Sequence, residues 1–151
     1  MKKILILIVV LGLLVLGYRG ITIANDRIAQ SMERALCAAP LPPQTKLVDS
    51  KSHAGRIAGN GNGMQYFAAI LISSELSKEE VQLHYNDAVE EDAVYVIEQD
   101  AQIISEYDIW FDAWDPDPNR KCYRVEMWKE SCVGCEESIR EAVLNLDIRG
   151  H

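Results

Sequence analysis

The sequence is short of the residues on which catalysis and nucleic-acid binding usually depend. Only three of its 151 residues are histidine, and 15 lysines and arginines stand against 23 aspartates and glutamates. Residues 1–20 hold three of the basic residues and no acidic one, which leaves 12 basic and 23 acidic residues, a net charge of −11, in residues 21–151. Because so acidic a chain repels phosphate groups, we expect no nucleic acid among its partners.

The histidines and acidic pairs give no catalytic pattern. We expect His53 in a strand, His84 on a helix face and His151 at the C-terminus, and no serine lies in a nucleophile-elbow motif. Adjacent acids such as Glu90 and Glu91 point apart and suit a solvated face better than acid–base chemistry. The sequence therefore predicts no enzymatic activity and no cofactor.

The first residues carry the strongest signal. Lys2 and Lys3 precede 14 uninterrupted apolar residues, 4–17, and then Tyr18 and Arg19. Such a run suits a lipid bilayer or a signal peptide. Residues 21–24 extend the apolar character to the length that a membrane span needs, so we expect a retained anchor over residues 1–24. Cleavage after Ala24 is the alternative, and a buried helix of a soluble protein is a third.

Two lysines at the N-terminus and a large domain after the span predict a cytoplasmic N-terminus and an exported domain in the cell membrane. Helical spacing continues beyond the span, in a stalk and linker over residues 25–44 that ends at Pro40, Pro42 and Pro43. An apolar stripe on this helix, within residues 21–36, could contact a protein partner or a second copy of the chain. We favour the alternative that the stripe packs on the chain's own domain. The stripe consists of Ile21, Ala24, Ile28, Met32, Ala35 and Leu36.

Residues 45–151 are enough for one domain, and their patterns predict an α+β fold. Strands are expected at 45–57, 64–73, 93–97, 109–114 and 122–128, and the second should be central because its apolar residues are consecutive. A capping box of Ser77 and Glu80 begins one helix, and residues 137–146 have the spacing of another. The expected result is an antiparallel sheet with one or two packed helices.

Residues 59–63, Gly-Asn-Gly-Asn-Gly, suit a hairpin tip because glycine and asparagine accept positive φ. A phosphate-binding loop is the alternative, but it needs a following helix, whereas a strand pattern follows. Residues 41–72 contain prolines, the Val48-Asp49-Ser50 sequence and the Gly-Asn repeat. In these residues and in the closing residues 146–151, the chain resembles an uncharacterised set of small membrane-anchored bacterial proteins. The resemblance implies an anchored bacterial domain and transfers no activity.

Four cysteines lie beyond the anchor, where an exported domain keeps disulfides. We expect Cys132 to pair with Cys135, and Cys37 and Cys122 to be free or joined. The first pair would act as a stapling disulfide. Thiol redox exchange is an alternative function of this pair, because its Cys-x-x-Cys motif precedes a predicted helix. Soft-metal binding is another, because the spacing of the two cysteines is similar to that in the metal loop of heavy-metal-associated domains.

Two further patterns are weaker. Asp115, Asp117, Asn119 and Glu126 fall at positions 1, 3, 5 and 12 of a calcium loop, but Arg120 replaces the turn glycine, so a turn rich in Asp and Pro is the better interpretation. Three tryptophans could line a ligand face, although cross-strand aromatic packing explains them more simply. They are Trp110, Trp114 and Trp128. The sequence thus favours an anchored, non-catalytic domain that binds a partner or ligand.

Overall fold

The architecture is α+β, as predicted. The structure is a computed structural model that describes residues 2–57, 63–88, 94–104, 107–115, 117, 119–131 and 139–149. The elements in chain order are α1 (Lys2–Ala38), β1 (Thr45–Gly55), β2 (Gln65–Ser74), α2 (Lys78–Ala88), β3 (Val94–Glu98), β4 (Ile103–Ile104), β5 (Ile109–Trp110), β6 (Lys121–Glu130) and α3 (Ile139–Leu144).

Four strands form the main sheet, in the order β1-β2-β6-β3, with every neighbouring pair antiparallel. β2 lies inside the sheet, and residues 66–74 are all buried, which confirms the central strand that the consecutive apolar residues predicted. Gly55 pairs with Gln65 across β1 and β2. Residues 58–62, which include most of the predicted hairpin tip, lie outside the described part of the chain.

α1 and α2 cover one face of the sheet, the helix face. Beyond the apolar run, α1 buries Ala29, Met32 and Leu36 in the core that includes Ile70 and Val125. The Glu33 carboxylate accepts a hydrogen bond of 2.6 Å from the Ser50 hydroxyl of β1 and another from Ser52. The stalk therefore packs on its own domain, as favoured, and a partner or homodimer contact through residues 21–36 stays a prediction.

α2 begins with the predicted capping box. The Ser77 amide and hydroxyl both donate to the Glu80 carboxylate, at 2.8 and 2.6 Å. These hydrogen bonds lower the pKa of Glu80 and satisfy groups that a helix start leaves without intrahelical partners. Val81 and Tyr85 then lie buried against the sheet.

The opposite face of the sheet, the hairpin face, is covered by the short β4–β5 hairpin. Ile104 and Phe111 pack with Phe67, Leu71 and Cys122. The predicted strand 109–114 is thus wrong beyond Trp110, where β5 ends. Among the described strands, β5 pairs only with β4 and does not join the main sheet. Trp114 is partly buried on the hairpin face, whereas Trp110 is 57% exposed.

α3 does not bury most of the apolar residues whose spacing predicts a helix over residues 137–146. Ile139 is 85% exposed, Val143 42% and Leu146 60%, and of the helix itself only Leu144 is buried. The neighbouring polar residues Asn145 and Asp147 are buried instead. Residues 137 and 138, with which the predicted helix begins, lie outside the described ranges.

Asp147 fastens the C-terminal residues to α1. Its side chain is fully buried and accepts hydrogen bonds from Asn25 Nδ2 at 3.0 Å and from the Tyr18 hydroxyl at 3.4 Å. Arg149 Nη2 lies 2.7 Å from Asp147 Oδ2. Asn25 is itself fully buried and accepts a 2.8 Å hydrogen bond from the Tyr66 hydroxyl of β2. One polar network thus joins α1, the sheet and the C-terminal segment.

Arg149 extends this network along α1. Its guanidinium donates to the Thr22 carbonyl at 3.1 Å and forms an ion pair with Asp26 at 2.9 Å, while its own carbonyl accepts from the Arg56 amide at 2.8 Å. We call this set the C-terminal clamp. It consists of Tyr18, Thr22, Asn25, Asp26, Asp147 and Arg149.

The clamp predicts a large effect for Asp147→Asn. Burial raises the pKa of Asp147, but hydrogen bonds from Arg149 and Asn25 outweigh burial and hold the pKa below its ordinary value of 3.8. Removing the charge should lower the free energy of unfolding in detergent by about 1–3 kcal/mol. Asp26→Asn, at a 41% exposed partner of the same arginine, is the control and should cost less than about 1 kcal/mol.

This stabilisation should also depend on pH. Since the pKa of Asp147 is lower in the folded than in the unfolded chain, its contribution is present above pH 3.8 and disappears as the pH falls through the folded-state value. The difference between wild type and Asp147→Asn should therefore shrink below about pH 3.8 in denaturant titrations. A difference that is constant with pH, or an equal loss in Asp26→Asn, would contradict the assignment.

Candidate functional site

The outer edge of β3 is one end of the main sheet. Antiparallel pairing with β6 turns the backbone groups of Tyr95 and Ile97 inward and those of Val94, Val96 and Glu98 outward. The Gln82 side chain of α2 reaches this edge: its Nε2 donates to the Val94 carbonyl at 2.8 Å, and its Oε1 accepts from the Val96 amide at 2.9 Å. Gln82 thus makes the contacts that a peptide group of a further strand would make.

β1 forms the other end of the sheet and carries several charged side chains. Lys46 Nζ lies 2.9 Å from Asp115 Oδ2, and Lys51 forms an ion pair with Asp112. The Asp49 carboxylate accepts hydrogen bonds from the amides of residues 112 and 113. Charged side chains on an edge strand oppose pairing with another chain. β3 carries an ion pair as well, since Lys121 Nζ lies 3.0 Å from Glu98 Oε1.

A groove of about 430 Å³ lies beside the β3 edge. Tyr95 is 52% exposed and offers a large aromatic surface at this groove. Four of the groove's seven lining residues are apolar or aromatic, and three, Lys78, Gln82 and Glu126, are polar or charged. The lining residues are Lys78, Gln82, Tyr95, Val96, Ile97, Glu126 and Trp128.

A buried ion pair forms part of the groove wall. Arg124 and Glu126 are 3% and 4% exposed, and Arg124 Nε lies 2.6 Å from Glu126 Oε2. Glu126 also accepts from Trp128 Nε1 at 3.2 Å, and the Trp128 ring packs 4.8 Å from the Phe67 ring and 4.9 Å from the Tyr107 ring, between centroids. The indole is therefore held in one orientation at the groove.

Gln99 connects this ion pair to the hairpin. Its Oε1 accepts from Arg124 Nη1 at 3.1 Å, and its Nε2 donates to the carbonyls of Ala101 and Ile103 at 2.8 and 2.9 Å. Sequence reasoning missed this cluster because Arg124 and Glu126 alternate with apolar residues, a pattern that favours a solvated outer face. Nor did it single out Gln82 or Tyr95, whose significance comes only from the sheet order.

The predicted cysteine pair, Cys132 and Cys135, lies outside the described residues. Cys37 and Cys122 are both free thiols. Cys37 is exposed near the end of α1, whereas Cys122 is buried on the hairpin face of β6, so the sheet separates them. Burial, and then the negative charge of Asp115, raise the pKa of Cys122. Both effects disfavour the reactive thiolate.

The calcium-loop residues are not brought together. Asp115 is paired with Lys46, and Asp117 accepts from the Asn119 amide at 2.9 Å in a tight turn. Glu126 lies on β6, paired with Arg124. Within the described residues, no three acidic, histidine or cysteine side chains are placed to hold a metal ion.

The histidines are also dispersed. His53 lies on β1, and burial and then the Arg149 charge lower its pKa. His84 lies on α2, with Nε2 2.7 Å from the Pro40 carbonyl. His151 is outside the described ranges. The two described histidines thus lie on different elements, His53 exposed and His84 half-buried.

Comparison with known proteins finds no matching family, no similar curated protein and no similar solved structure.

The different surroundings of Cys37 and Cys122 give a testable prediction. In the folded protein, a thiol-alkylating reagent should modify the exposed Cys37, while Cys122 should react only after denaturant is added, because it is buried and its pKa is raised. Peptide mass spectrometry of quenched samples measures both sites. Modification of Cys122 at the rate of Cys37 would contradict the described packing.

Proposed function

We propose that this is a single-pass membrane protein whose exported domain binds a partner protein and catalyses no reaction. α1 is the one helix, among the described residues, that is long and apolar enough to cross a bilayer. The residues of its apolar run are exposed rather than packed on the domain. Lys2 and Lys3 at its start favour a cytoplasmic N-terminus, with the acidic domain outside the cell membrane.

A cleavable signal sequence has the same length and composition, but the surroundings of the cleavage site support retention. Cleavage after Ala24 would cut α1 in its middle and leave Asn25, a fully buried residue, at a new charged N-terminus. It would also remove Tyr18 and Thr22, which bind Asp147 and Arg149. The first helix is thus used by the folded domain as well as by the membrane.

Retention predicts that protein purified from membranes keeps its first 24 residues. Intact-mass measurement should give the full chain, and extraction should require detergent, because the apolar run stays in lipid. Tyr18→Phe, which removes one clamp hydrogen bond and leaves the span apolar, serves as a control that should also stay anchored. A soluble product that begins at Asn25 would contradict the proposal.

The β3 edge and its groove support binding of an extended segment of the partner. Strand addition gives affinity through main-chain hydrogen bonds, and the adjoining groove gives specificity for alternate side chains. The Gln82 side chain occupies the Val94 carbonyl and the Val96 amide, so an added strand has to displace it, while Tyr95 and Trp128 offer aromatic surface for an apolar side chain. The single observation that carries this proposal is the groove beside β3, with the exposed Tyr95 in its wall.

A thiol protein that uses Cys132 and Cys135 for redox exchange or soft-metal binding is the alternative function. Nothing in the described part of the chain favours it over partner binding. The disulfide between these two residues stays a prediction.

Site-specific photo-crosslinking tests the binding site. A photoreactive residue in place of Tyr95 should give a discrete adduct in native membranes, while the same residue in place of Trp110, which has a similar exposure of 57% against 52%, should not. Tyr95→Ala should weaken binding of the captured partner by about 1–3 kcal/mol, roughly five- to 150-fold. Equal adducts at both positions, or unchanged affinity in Tyr95→Ala, would contradict the assignment.

A further inference from the structure

The C-terminal segment has its polar residues inside and its apolar residues outside. Asn145 is 7% exposed and Asp147 fully buried, while the alternating neighbours Leu146 and Ile148 are 60% and 63% exposed. Val143, one helical turn earlier, is also exposed. In a segment whose outer side faces water, the polar residues normally lie outside and the apolar residues inside. Exposure of aliphatic groups to water is unfavourable, and a buried carboxylate loses its hydration.

The clamp fixes where this segment lies along α1. Asp147 binds Tyr18, the first residue after the apolar run, and Arg149 binds Thr22 and Asp26. At about 1.5 Å of rise per residue, these contacts cover roughly 12 Å of the helix axis. The segment therefore lies beside the last residues of the predicted anchor and the first residues of the stalk, where α1 leaves the bilayer.

We propose that Val143, Leu146 and Ile148 contact the bilayer, at the boundary between its headgroups and acyl chains. This inference rests on the proposed function in one respect, the insertion of α1 into lipid. The occupant is lipid because the patch adjoins the span through the clamp, and a tyrosine hydroxyl at the same level is typical of membrane–water interfaces. Apolar side chains at that depth are stabilised without a protein partner.

The inverted pattern then has a simple explanation. Polar groups that would lose hydration near lipid are hydrogen-bonded within the protein: the Asn145 side chain accepts from the Met64 amide at 3.0 Å and from the Ser131 hydroxyl at 2.6 Å. Asp147 is neutralised by Arg149. Lipid contact would hold the domain against the membrane at a second point, which limits the tilt of the whole protein in the bilayer.

Lipid photo-labelling of the native full-length protein tests this. The protein is reconstituted in phosphatidylcholine vesicles that contain a phosphatidylcholine with a diazirine near the glycerol end of its acyl chain, irradiated, denatured and digested with trypsin. Three peptides decide the result. They are residues 4–19 from the span, residues 141–149 from the patch and residues 79–120, which carry the exposed Leu83, Tyr95 and Trp110.

We expect label in 4–19 and in 141–149, with several-fold less in 79–120 despite its exposed apolar residues. The double substitution Leu146→Ser and Ile148→Ser should lower labelling of 141–149 several-fold and leave 4–19 unchanged, whereas Leu83→Ser, at a 64% exposed residue of α2, should change neither.

The outcomes that would overturn the inference are distinct from those that would overturn the anchor. Label in 4–19 with none in 141–149 would overturn the lipid contact and leave the anchor in place. A protein–protein crosslink to a second copy or to another protein through 141–149 would overturn it as well. Absence of label from 4–19 would overturn the membrane anchor and the inference together.

Discussion

The packing of the second half of α1 on the main sheet is the constraint on which the rest of the structure depends. Ala29, Met32 and Leu36 fill the helix face, and Asn25 is buried between Tyr66 and the C-terminal segment. An asparagine without these partners would be costly in such a position, because buried amide groups need hydrogen bonds. The helix that carries the apolar run is therefore also part of the core of the domain.

This arrangement determines which surfaces remain for other molecules. α1 packs on β1 and β2, and α2 packs near β3, so the β3 edge and its groove lie at the end of the sheet away from the stalk. The hairpin covers much of the other face. A partner could therefore reach the groove without displacing the stalk, and binding there would leave the clamp intact.

The elements that could be predicted from sequence are those with a strong local signal. The long helix, the buried strand β2 and the Ser77–Glu80 cap each follow from a period or a motif. Errors occurred where tertiary context reverses the local pattern. The stripe of α3 is exposed although its spacing is that of a core helix, and Arg124 and Glu126 are buried although they alternate with apolar residues.

The groove beside β3 could not be predicted because it depends on sheet order. Nothing in the residues around Tyr95 indicates that β3 pairs with β6 and ends the sheet, or that Gln82 would reach its edge from α2. The clamp shows the same limit, since Asn25 and Asp147 are separated by 122 positions in the chain. Contacts between residues so far apart in the chain follow from the topology and leave no periodic signal in the sequence.

Hydrogen exchange of the full-length protein in lipid nanodiscs tests the central claim most directly. If residues 25–36 belong to the core of the domain, their amides should exchange as slowly as those of β2 and should become exposed together with them as denaturant is added. Exchange of residues 25–36 well before β2, as expected for an independent helical stalk, would contradict the account.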